Sequence, residues 1–462
     1  MYGLASSIRV LARKALKGTM LKRRFRVFSS LSALFIGVIY VLTPAYATSV
    51  IGNSNQAKDQ LTFDFSGSYR VRYEALNNPI FPTSAESREQ SNQRISTRII
   101  FKTTLNYKNV SATLDIRDSR AFLDENDPTL GSNQVNTLEP VQLFVSYKPE
   151  SIEGINAIKF GRMELDYGSR RLLAKAIYRN ATNSYDGLVV EGEFNDWLVN
   201  GVYLLPVSRF PNDRDSIDAN SRGIDKSFSE RRFFGFYAQS PNKNTRIQSY
   251  WLKEKDSADL ATRNRDLYTL SLDYTKPLGQ GWKANAEIIG QIGSAHESAS
   301  PNDVDEKDVR AYMLFGYVGK QITDNTFLRA EVDYISGDND NTDNTISDFD
   351  SLYGVRRFDF GPTDVYQGFQ RRNLKTFGLR SVSKPTRQHN IMLGYKAYWY
   401  QKAPEAVDSF IGHQVEARWR YWLYPELRLS LGGAYLFKGE GFERGDYSDN
   451  SAFLFTGAMY SF

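Results

Sequence analysis

Apolar and polar residues alternate along most of the chain from Leu61 onward. A period of two is the pattern of a β-strand, whose successive side chains point to opposite faces. A length of about ten residues is that of a strand that crosses a membrane at a tilt. Eighteen alternating segments can be marked, at about 61–73, 94–107, 110–118, 138–148, 157–166, 185–194, 197–205, 231–240, 245–253, 266–276, 281–292, 308–320, 325–334, 375–383, 388–400, 410–422, 427–437 and 451–462.

The connections between these segments alternate between short turns and long polar loops. The short turns are at 108–109, 195–196, 241–244, 277–280, 321–324, 384–387 and 423–426, and the long loops include 74–93, 119–137, 206–230, 294–307, 335–374 and 438–450. Hairpins that keep short turns on one side are typical of bacterial outer-membrane barrels, whereas soluble sandwiches use Greek-key connections. The pattern predicts an all-β protein, a transmembrane antiparallel up-and-down β-barrel of 18 strands over residues 61–462. We expect the longest loop, 335–374, to fold inward and narrow the pore.

The last segment, 451–462, ends the chain on an aromatic residue. Counting back in twos from Phe462 gives Tyr460, Ala458, Thr456 and Leu454, a face that can contact lipid. A terminal Phe after apolar residues at alternate positions resembles the assembly signal of Gram-negative outer-membrane barrels. We therefore expect outer-membrane lipid around the strands and recognition of Tyr460 and Phe462 by the barrel-assembly machinery. The alternative that this segment alone leaves open is the last strand of a soluble sandwich.

The one long apolar run of the chain, 27–42, lies near the amino terminus. Eight Lys and Arg residues and no acidic residue precede it, and Pro44-Ala45-Tyr46-Ala47 follows it. A basic segment, a short apolar run and a small-x-small site are typical of a secretory signal peptide. We expect residues 1–47 to be this peptide, with its start at Met1 or Met20 and cleavage near Ala47. Residues 48–60 are then a short polar periplasmic lead.

Charge and composition narrow the classes of function. The full chain has a net charge of +5 and a mean hydropathy of −0.47. Removal of the signal peptide leaves 50 Lys and Arg against 53 Asp and Glu, a net charge of about −3. The mature charge therefore gives no reason to expect nucleic acid as a partner. Cysteine is absent, which excludes disulfides, a lipoprotein anchor and thiolate metal sites.

In most predicted strands one face is apolar and the other is charged or polar. In the first strand Phe63 and Phe65 share one face, and Arg70 and Arg72 share the other. An Arg or Lys that faces mid-bilayer lipid costs about 2–4 kcal/mol, so the charged face should line the lumen. The basic candidates for the lumen are Arg70, Arg72, Arg94, Arg98, Lys102, Arg117, Arg329, Arg380, Arg418 and Arg420, and their acidic partners are Glu191, Glu193, Glu331, Asp333 and Glu416.

Eighteen strands enclose an interior too wide for side chains to fill, so the sequence predicts a water-filled conduit. Basic positions outnumber acidic ones on the predicted lumen face. Such a wall would concentrate anions and disfavour cations. The alternative is that the charges pair across strands and only brace the wall.

Catalysis and metal binding have little support in the sequence. The three histidines, His296, His389 and His413, fall in a long loop, at a short turn and on the lipid face, so they cannot converge on one serine. Asp338 and Asp340 are candidate calcium ligands in an Asp- and Asn-rich stretch, which lacks the glycine of a helical calcium loop. We expect no enzyme, no cofactor and no bound metal, and a solvated loop at this stretch.

Two stretches resemble the alginate-export family of outer-membrane proteins. The first is Phe160-Gly161-Arg162-Met163-Glu164-Leu165-Asp166-Tyr167-Gly168-Ser169-Arg170-Arg171-Leu172, followed by Tyr185-Asp186-Gly187-Leu188. The second is Tyr334-Ile335-Ser336-Gly337-Asp338, Phe349-Asp350-Ser351-Leu352-Tyr353, Phe360-Gly361-Pro362-Thr363-Asp364 and Asn373-Leu374. With the strand plan the resemblance covers about 61–462. It implies an eighteen-stranded barrel with an electropositive constriction that passes an anionic polysaccharide outward.

The resemblance also implies pore-side roles for Arg162, Arg170 and Arg171. The strand parity disagrees, because Arg162 shares a face with Phe160. A bulge at Gly161 would reconcile the two, and the alternative is that these residues lie above the bilayer. Family exporters can carry a long periplasmic plug loop, whereas every predicted periplasmic turn of this chain is short.

The sequence as a whole predicts a channel in the outer membrane of a Gram-negative cell. Its expected cargo is an anionic solute, a uronate-type polysaccharide or oligosaccharide, that passes by passive diffusion through an Arg-rich lumen. The close alternative is an uptake porin for small organic solutes. An outer-membrane enzyme and a non-conducting surface or adhesion barrel are more remote alternatives.

Overall fold

The computed structural model of the protein describes residues 60–78, 92–123, 130–340, 342–361, 369–442 and 449–462. The predicted signal peptide, its cleavage site near Ala47, and all but the last residue of the polar lead lie outside the described residues. The part from Leu61 to Phe462 forms one compact unit.

The alternating segments form eighteen long strands among the described residues, and two strands of two residues each lie in loops. The strands are β1 (Thr62–Asn77), β2 (Asn92–Tyr107), β3 (Val110–Phe122), β4 (Asn136–Tyr147), β5 (Ile155–Met163), β6 (Tyr185–Phe194), β7 (Trp197–Ser208), β8 (Lys226–Ser227), β9 (Arg231–Gln239), β10 (Thr245–Glu254), β11 (Asp266–Gly279), β12 (Trp282–Ala295), β13 (Lys307–Thr323), β14 (Thr326–Ile335), β15 (Thr345–Ile346), β16 (Leu374–Ser383), β17 (His389–Tyr400), β18 (Phe410–Trp422), β19 (Leu427–Lys438) and β20 (Ser451–Ser461).

The long strands close on themselves. Each pairs antiparallel with the next long strand, and β1 pairs both with β2 and with β20. The closing register sets Tyr69 opposite Tyr460, and the carbonyl of Phe462 accepts a hydrogen bond from the Gly67 amide at 2.9 Å. The predicted antiparallel barrel of 18 strands is therefore confirmed.

The two faces of the wall differ in chemistry as the alternation predicts. Large apolar side chains such as Phe63, Leu272 and Ile288 are exposed on the outer face. Side chains such as Gln248 and Thr269 are fully buried on the other face. Because lipid covers only the outer face of a membrane barrel, the polar face is the lumen face.

Some strand ends differ from the sequence prediction. β1 continues to Asn77 and β2 begins at Asn92, because Glu74 and Arg94 form a fully buried ion pair at 2.8 Å that extends the hairpin. β5 ends early, at Met163. Gly161, two residues before that end, has a φ of +126°, a conformation that L side chains rarely adopt.

The loops carry short helices that the alternation did not predict. α1 (Arg214–Asp218) lies between β7 and β9, where the Asp213 carboxylate accepts the Ser216 amide at its amino end. α2 (Arg357–Phe360) lies between β14 and β16, and a 3₁₀ turn (Glu440–Phe442) lies between β19 and β20. No helix in the described ranges is long and apolar enough to cross a membrane.

The β5–β6 loop (164–184) and described residues of the β14–β16 loop, within 342–361 and 369–373, pack inside the barrel. Leu172 and Leu173 of the first loop and Phe360 of the second are fully buried. They belong to one apolar cluster with lumen-face residues of the wall, such as Phe233 and Met313. The sequence led us to expect the loop 335–374 to fold inward. The β5–β6 loop, for which we had no such expectation, folds inward as well.

Candidate functional site

The tip of the β5–β6 loop lies against β1 and β2, where arginines hold its backbone. The guanidinium of Arg72 donates to the Tyr178 carbonyl at 2.8 Å. Arg70 and Arg98 donate to the Arg179 carbonyl at 3.2 and 3.1 Å. Buried backbone carbonyls need hydrogen-bond partners, and these three arginines supply them. The loop is therefore anchored at its tip as well as at its two ends.

The ring of Tyr178 at this tip contacts two guanidinium groups. The guanidinium carbon of Arg72 is 4.6 Å from the ring centroid, and that of Arg357 from α2 is 4.8 Å. The ring of Phe455 meets it edge-on, with the centroids 6.3 Å apart. The quadrupole of an aromatic ring attracts a cation over its face, so the contacts with Arg72 and Arg357 hold the Tyr178 ring in position inside the lumen.

The two inner loops also bind each other through their backbones. The Tyr353 amide donates to the Leu172 carbonyl at 3.0 Å, and the Ala174 amide donates to the Tyr353 carbonyl at 3.2 Å. The Val355 amide donates to the Arg170 carbonyl at 2.9 Å. These bonds form a short parallel bridge between segments that are far apart in sequence.

A buried ion network holds the same junction. Arg171 pairs with Glu287 on β12 at 2.6 Å and with Asp359 at 2.8 Å, and Arg371 pairs with Asp359 at 2.5 Å. Burial alone would raise the pKa of the Asp359 carboxyl, but Arg171 and Arg371 outweigh it and hold that pKa well below its ordinary value. The Asp359 carboxylate is therefore ionised at neutral pH.

Next to the β5–β6 and β14–β16 loops lies a cavity of about 900 Å³ whose charged lining is almost entirely basic. Its described lining includes thirteen arginines and one lysine, against Asp166 as the one acidic residue. The basic residues are Arg70, Arg72, Arg98, Arg170, Lys175, Arg179, Arg209, Arg329, Arg356, Arg357, Arg380, Arg418, Arg420 and Arg428. Such a wall attracts anions because low-dielectric surroundings strengthen the field.

The cavity contains some of the predicted lumen arginines and not others. Those that line it are Arg70, Arg72, Arg98, Arg170, Arg329, Arg380, Arg418 and Arg420. Those predicted but outside its lining are Arg94, Lys102, Arg117, Arg162 and Arg171. Arg117 makes two-point contacts with Asp115 and Glu164 at 2.7–3.0 Å. Arg117 therefore braces the wall, as Arg94 does through Glu74.

Arg162 has a different environment from the other predicted arginines. It shares the parity of the exposed Phe160 and pairs with Asp186 at 2.8 Å and with Glu139 at 2.7 Å. The carbonyl of Asp225, from the β7–β9 loop, accepts a further hydrogen bond from it at 3.2 Å. The unusual backbone at Gly161 does not bring Arg162 to the cavity lining.

The predicted acidic partners mostly neutralise neighbouring cations. Glu331 pairs with Arg329 at 2.6 Å, with Arg380 at 2.9 Å and with Lys396 at 3.0 Å. The remaining pairs are Asp333 with Lys396 at 3.0 Å, Glu416 with Arg357 at 2.8 Å and Glu191 with Lys159 at 2.6 Å. Glu193 is exposed at the end of β6. Salt bridges therefore pair much of the charge on the lumen face.

Several cavity residues lie in loops, where strand parity could not reveal them. They are Lys175, Tyr178, Arg179, Arg209, Arg356 and Arg357. The signal that could have identified them is their unusual composition, since Tyr178-Arg179 and Arg356-Arg357 put aromatic and basic side chains in the middle of long loops.

The candidate calcium ligands bind their own loop. Asp338 accepts the backbone amides of Asp340 and Ser347 at 3.1 and 2.7 Å, and Asp340 accepts the Thr342 amide at 2.9 Å. Among the described residues, no group of three or more His, Asp or Glu side chains is arranged to hold a metal ion. Their visible role is to shape the turn.

Comparison with known proteins places the chain among outer-membrane proteins. A family model described as alginate export matches residues 61–454, which confirms the family resemblance, and no curated protein matches the chain. The fold is similar to that of OccAB1 from Acinetobacter baumannii, with a TM-score of 0.58, 12% identity, and coverage of 87% of this chain and 96% of that one. It is also similar to a BenF-like porin from Pseudomonas fluorescens Pf-5, with a TM-score of 0.58, 13% identity, and coverage of 87% and 98%. The outer membrane protein OpdK from Pseudomonas aeruginosa, solved with vanillate, has a TM-score of 0.55, 12% identity, and coverage of 86% and 98%.

Proposed function

Because the chain belongs to the alginate export family, we propose that it is an outer-membrane channel through which anionic solutes diffuse passively. The proposed cargo is an acidic, uronate-type polysaccharide or oligosaccharide. The chain would reach the outer membrane after signal-peptide cleavage near Ala47. The barrel-assembly machinery would recognise Tyr460 and Phe462 in the last strand.

The observation that carries this proposal is the charge of the cavity. Its described lining holds fourteen basic side chains and the single acidic residue Asp166. An anion in this chamber is attracted from several sides, whereas a cation is repelled. Arginine suits this role because its planar fork binds a carboxylate through two hydrogen bonds and does not lose its charge near neutral pH.

A small-solute uptake porin is the second candidate, and the packing of the lumen favours it over wide polymer passage. The two inner loops are tied to the wall and to each other by buried apolar contacts and ion pairs. A lumen with a fixed obstruction allows passage of a small organic acid more readily than passage of a bulky polymer chain. OpdK, which shares this fold, was solved with vanillate, a small carboxylate.

Single-channel recording of the refolded mature protein tests both candidates. We expect a reversal potential under a salt gradient that shows anion preference, and a current that polyuronate blocks and a neutral oligosaccharide does not. Block by vanillate-sized carboxylates together with indifference to polyuronate would support the small-solute porin. A cation-selective current or no current would contradict both.

A further inference from the structure

Charged groups are only part of the cavity lining, because apolar side chains line it as well. They include Ile177, Phe327, Phe358, Val382 and Met392. Contact between water and apolar surface is unfavourable, and a ligand that covers such surface gains free energy on binding. The apolar part of the lining therefore adds a requirement that the charge of the cavity does not explain.

Three of these residues form a row across neighbouring strands. Phe327 on β14 is the direct register partner of Val382 on β16, and Val382 is the register partner of Met392 on β17. All three line the cavity. Neighbouring strands are about 4.8 Å apart, so the row is about 10 Å wide. We call these three residues the apolar strip.

The apolar strip faces the cavity and does not belong to the apolar packing under the loops. Phe327 and Val382 are half-buried, and Met392 is almost fully buried. Phe233 and Met313, in contrast, are fully buried in the apolar cluster that the β5–β6 and β14–β16 loops cover. Among the described residues, that cluster contains no member of the strip. The strip is therefore apolar wall surface next to the water-filled space.

Two apolar side chains of the loops line the same cavity. Ile177 at the tip of the β5–β6 loop is 53% exposed, and Phe358 of α2 is 39% exposed. The Phe358 carbonyl accepts a hydrogen bond from Arg380, which is two residues from Val382 on the same face of β16. The backbone of α2 is thus held next to the strip, and the cavity has apolar surface on its loops as well as on its wall.

Basic groups lie at the edges of the apolar strip. Arg418 on β18 is the register partner of Met392. Arg329 and Arg380 each lie two residues from a strip residue on the same strand, a step of about 7 Å. A ligand whose apolar body lies on the strip therefore has a head group within reach of guanidinium donors. Such a ligand is amphipathic, with one anionic end.

A polyuronate chain does not match this arrangement. Each of its sugar rings carries a carboxylate and hydroxyl groups, and on the strip these groups would leave water without gaining hydrogen-bond partners, which is unfavourable. A monocarboxylate with an apolar ring or a short alkyl body puts its carbon surface on the strip and its charge at the arginines.

We propose that the apolar strip is a subsite for the apolar body of a small organic monocarboxylate, whose carboxylate is held by the arginines beside the strip. This subsite rests on the proposed anion channel and deepens its second candidate, because it names the class of organic acid that the cavity selects. Phe327, Val382 and Met392 carry no charge, so their contribution can be tested without removing a cation from the cavity.

Two acids of equal charge and ring size isolate the contribution of the apolar strip. Cyclohexanecarboxylate and glucuronate each carry one carboxylate on a six-membered ring, but only glucuronate carries hydroxyl groups. Cyclohexanecarboxamide is the neutral control. The refolded mature protein is inserted in a planar bilayer, and the concentration of each compound that halves the single-channel current is measured. We expect cyclohexanecarboxylate to reach half-block at a concentration about tenfold below that of glucuronate, and the amide to give no block at these concentrations.

The variant Val382→Thr, Met392→Gln replaces two strip residues with polar side chains of similar size. Its half-blocking concentrations for the two acids should become nearly equal. Val382→Thr alone is the milder variant, and it should reduce the preference for cyclohexanecarboxylate in part. The matched control is Val202→Thr, the same exchange in the apolar cluster inside the barrel and outside the cavity lining, which should keep the full preference. Heat-modifiable mobility on SDS gels verifies that each variant forms a barrel.

The outcomes separate this inference from the proposed function. An anion-selective channel that both acids block equally, or a strip variant that keeps the preference of the Val202→Thr control, would overturn the subsite and leave the anion channel in place. Block by the amide as strong as block by cyclohexanecarboxylate would also overturn the subsite, because the carboxylate would then have no part in binding. A channel without anion selectivity whose strip variants lose the preference for cyclohexanecarboxylate would support the subsite and overturn the anion channel.

Discussion

Arg171 of the β5–β6 loop and Asp359 of the β14–β16 loop form a two-point salt bridge in the barrel interior. The Nη2–Oδ1 distance is 2.8 Å and the Nε–Oδ2 distance is 3.2 Å, and both side chains are buried. Glu287 and Arg371 complete the network, so each buried charge has an opposite partner. Because breaking a buried pair leaves an uncompensated charge, the two loops are expected to behave as one fixed obstruction.

The first prediction concerns this junction. Asp359→Asn removes the carboxylate that Arg171 and Arg371 share, and the loss of one partner from a buried pair costs about 3–5 kcal/mol. The barrel strands keep their own hydrogen bonds, so the cost should appear as faster proteolysis of the β14–β16 loop and as a noisier current. Limited trypsin digestion in detergent and single-channel recording measure both effects.

The control for this variant is Asp303→Asn, in the β12–β13 loop. The Asp303 carboxylate accepts hydrogen bonds from Ser298 at an exposed site, and no arginine among the described residues pairs with it. Its replacement should leave proteolysis of the β14–β16 loop unchanged. Equal digestion rates for the two variants would show that the buried network does not hold the loop.

The second prediction concerns pH. Desolvation raises the pKa of the Asp166 carboxyl above its ordinary value, although Arg170 and Lys175 oppose the shift. As pH falls, Asp166 therefore binds its proton earlier than an ordinary aspartate, and the cavity lining becomes more positive. Anion selectivity, measured as the reversal potential under a salt gradient, should rise between pH 7 and about pH 4.

Asp166→Asn reproduces the protonated state at every pH. The variant should show at pH 7 the higher anion selectivity that the natural chain reaches only in acid, and its own pH dependence over this range should be weaker. If the variant and the natural chain keep equal reversal potentials at pH 7, Asp166 does not contribute to selectivity.

The third prediction concerns Tyr178 as the obstruction at the tip of the β5–β6 loop. Tyr178→Ala removes the ring that contacts Arg72 and Arg357 and opens space in the lumen, so conductance should increase. Tyr178→Phe keeps the ring and both cation contacts and loses only the hydroxyl, which is 3.5 Å from Glu74. The Phe variant should therefore conduct like the natural chain. A conductance that is the same in all three proteins would place the narrowest point elsewhere.

The sequence predicted the barrel wall well because the signal for it is local. In strands such as β1, the alternation of Phe63 and Phe65 with polar or charged residues directly indicates which face contacts lipid. The β5–β6 and β14–β16 loops have no such pattern in the sequence. Tyr178 contacts Arg72 across 106 positions of sequence, and this contact depends on how the barrel closes.

The same dependence on contacts between distant residues explains why only some of the predicted lumen arginines line the cavity. Parity assigns Arg94 and Arg418 to the same face, yet Arg94 is buried against Glu74 and Arg418 lines the cavity. Whether an inward arginine braces the wall or faces water depends on a carboxylate from a neighbouring strand or loop. Such a partner can be identified only after the strands are in register.

The last prediction concerns Gly354, where the β5–β6 and β14–β16 loops are in close contact. A Cβ atom at this position would lie 1.8 Å from the Arg171 carbonyl oxygen. Gly354→Ala should therefore force the loops apart and break the bridge in which Tyr353 donates to Leu172 and Val355 donates to Arg170. The expected result is a barrel of normal heat-modifiable mobility whose current fluctuates between levels. Gly290→Ala is the matched control, because an added Cβ at Gly290 meets nothing within 4 Å. A steady current of natural size in Gly354→Ala would mean that the inner loops can separate without a change in the conducting path, and the bridge would then have no part in setting the width of the channel.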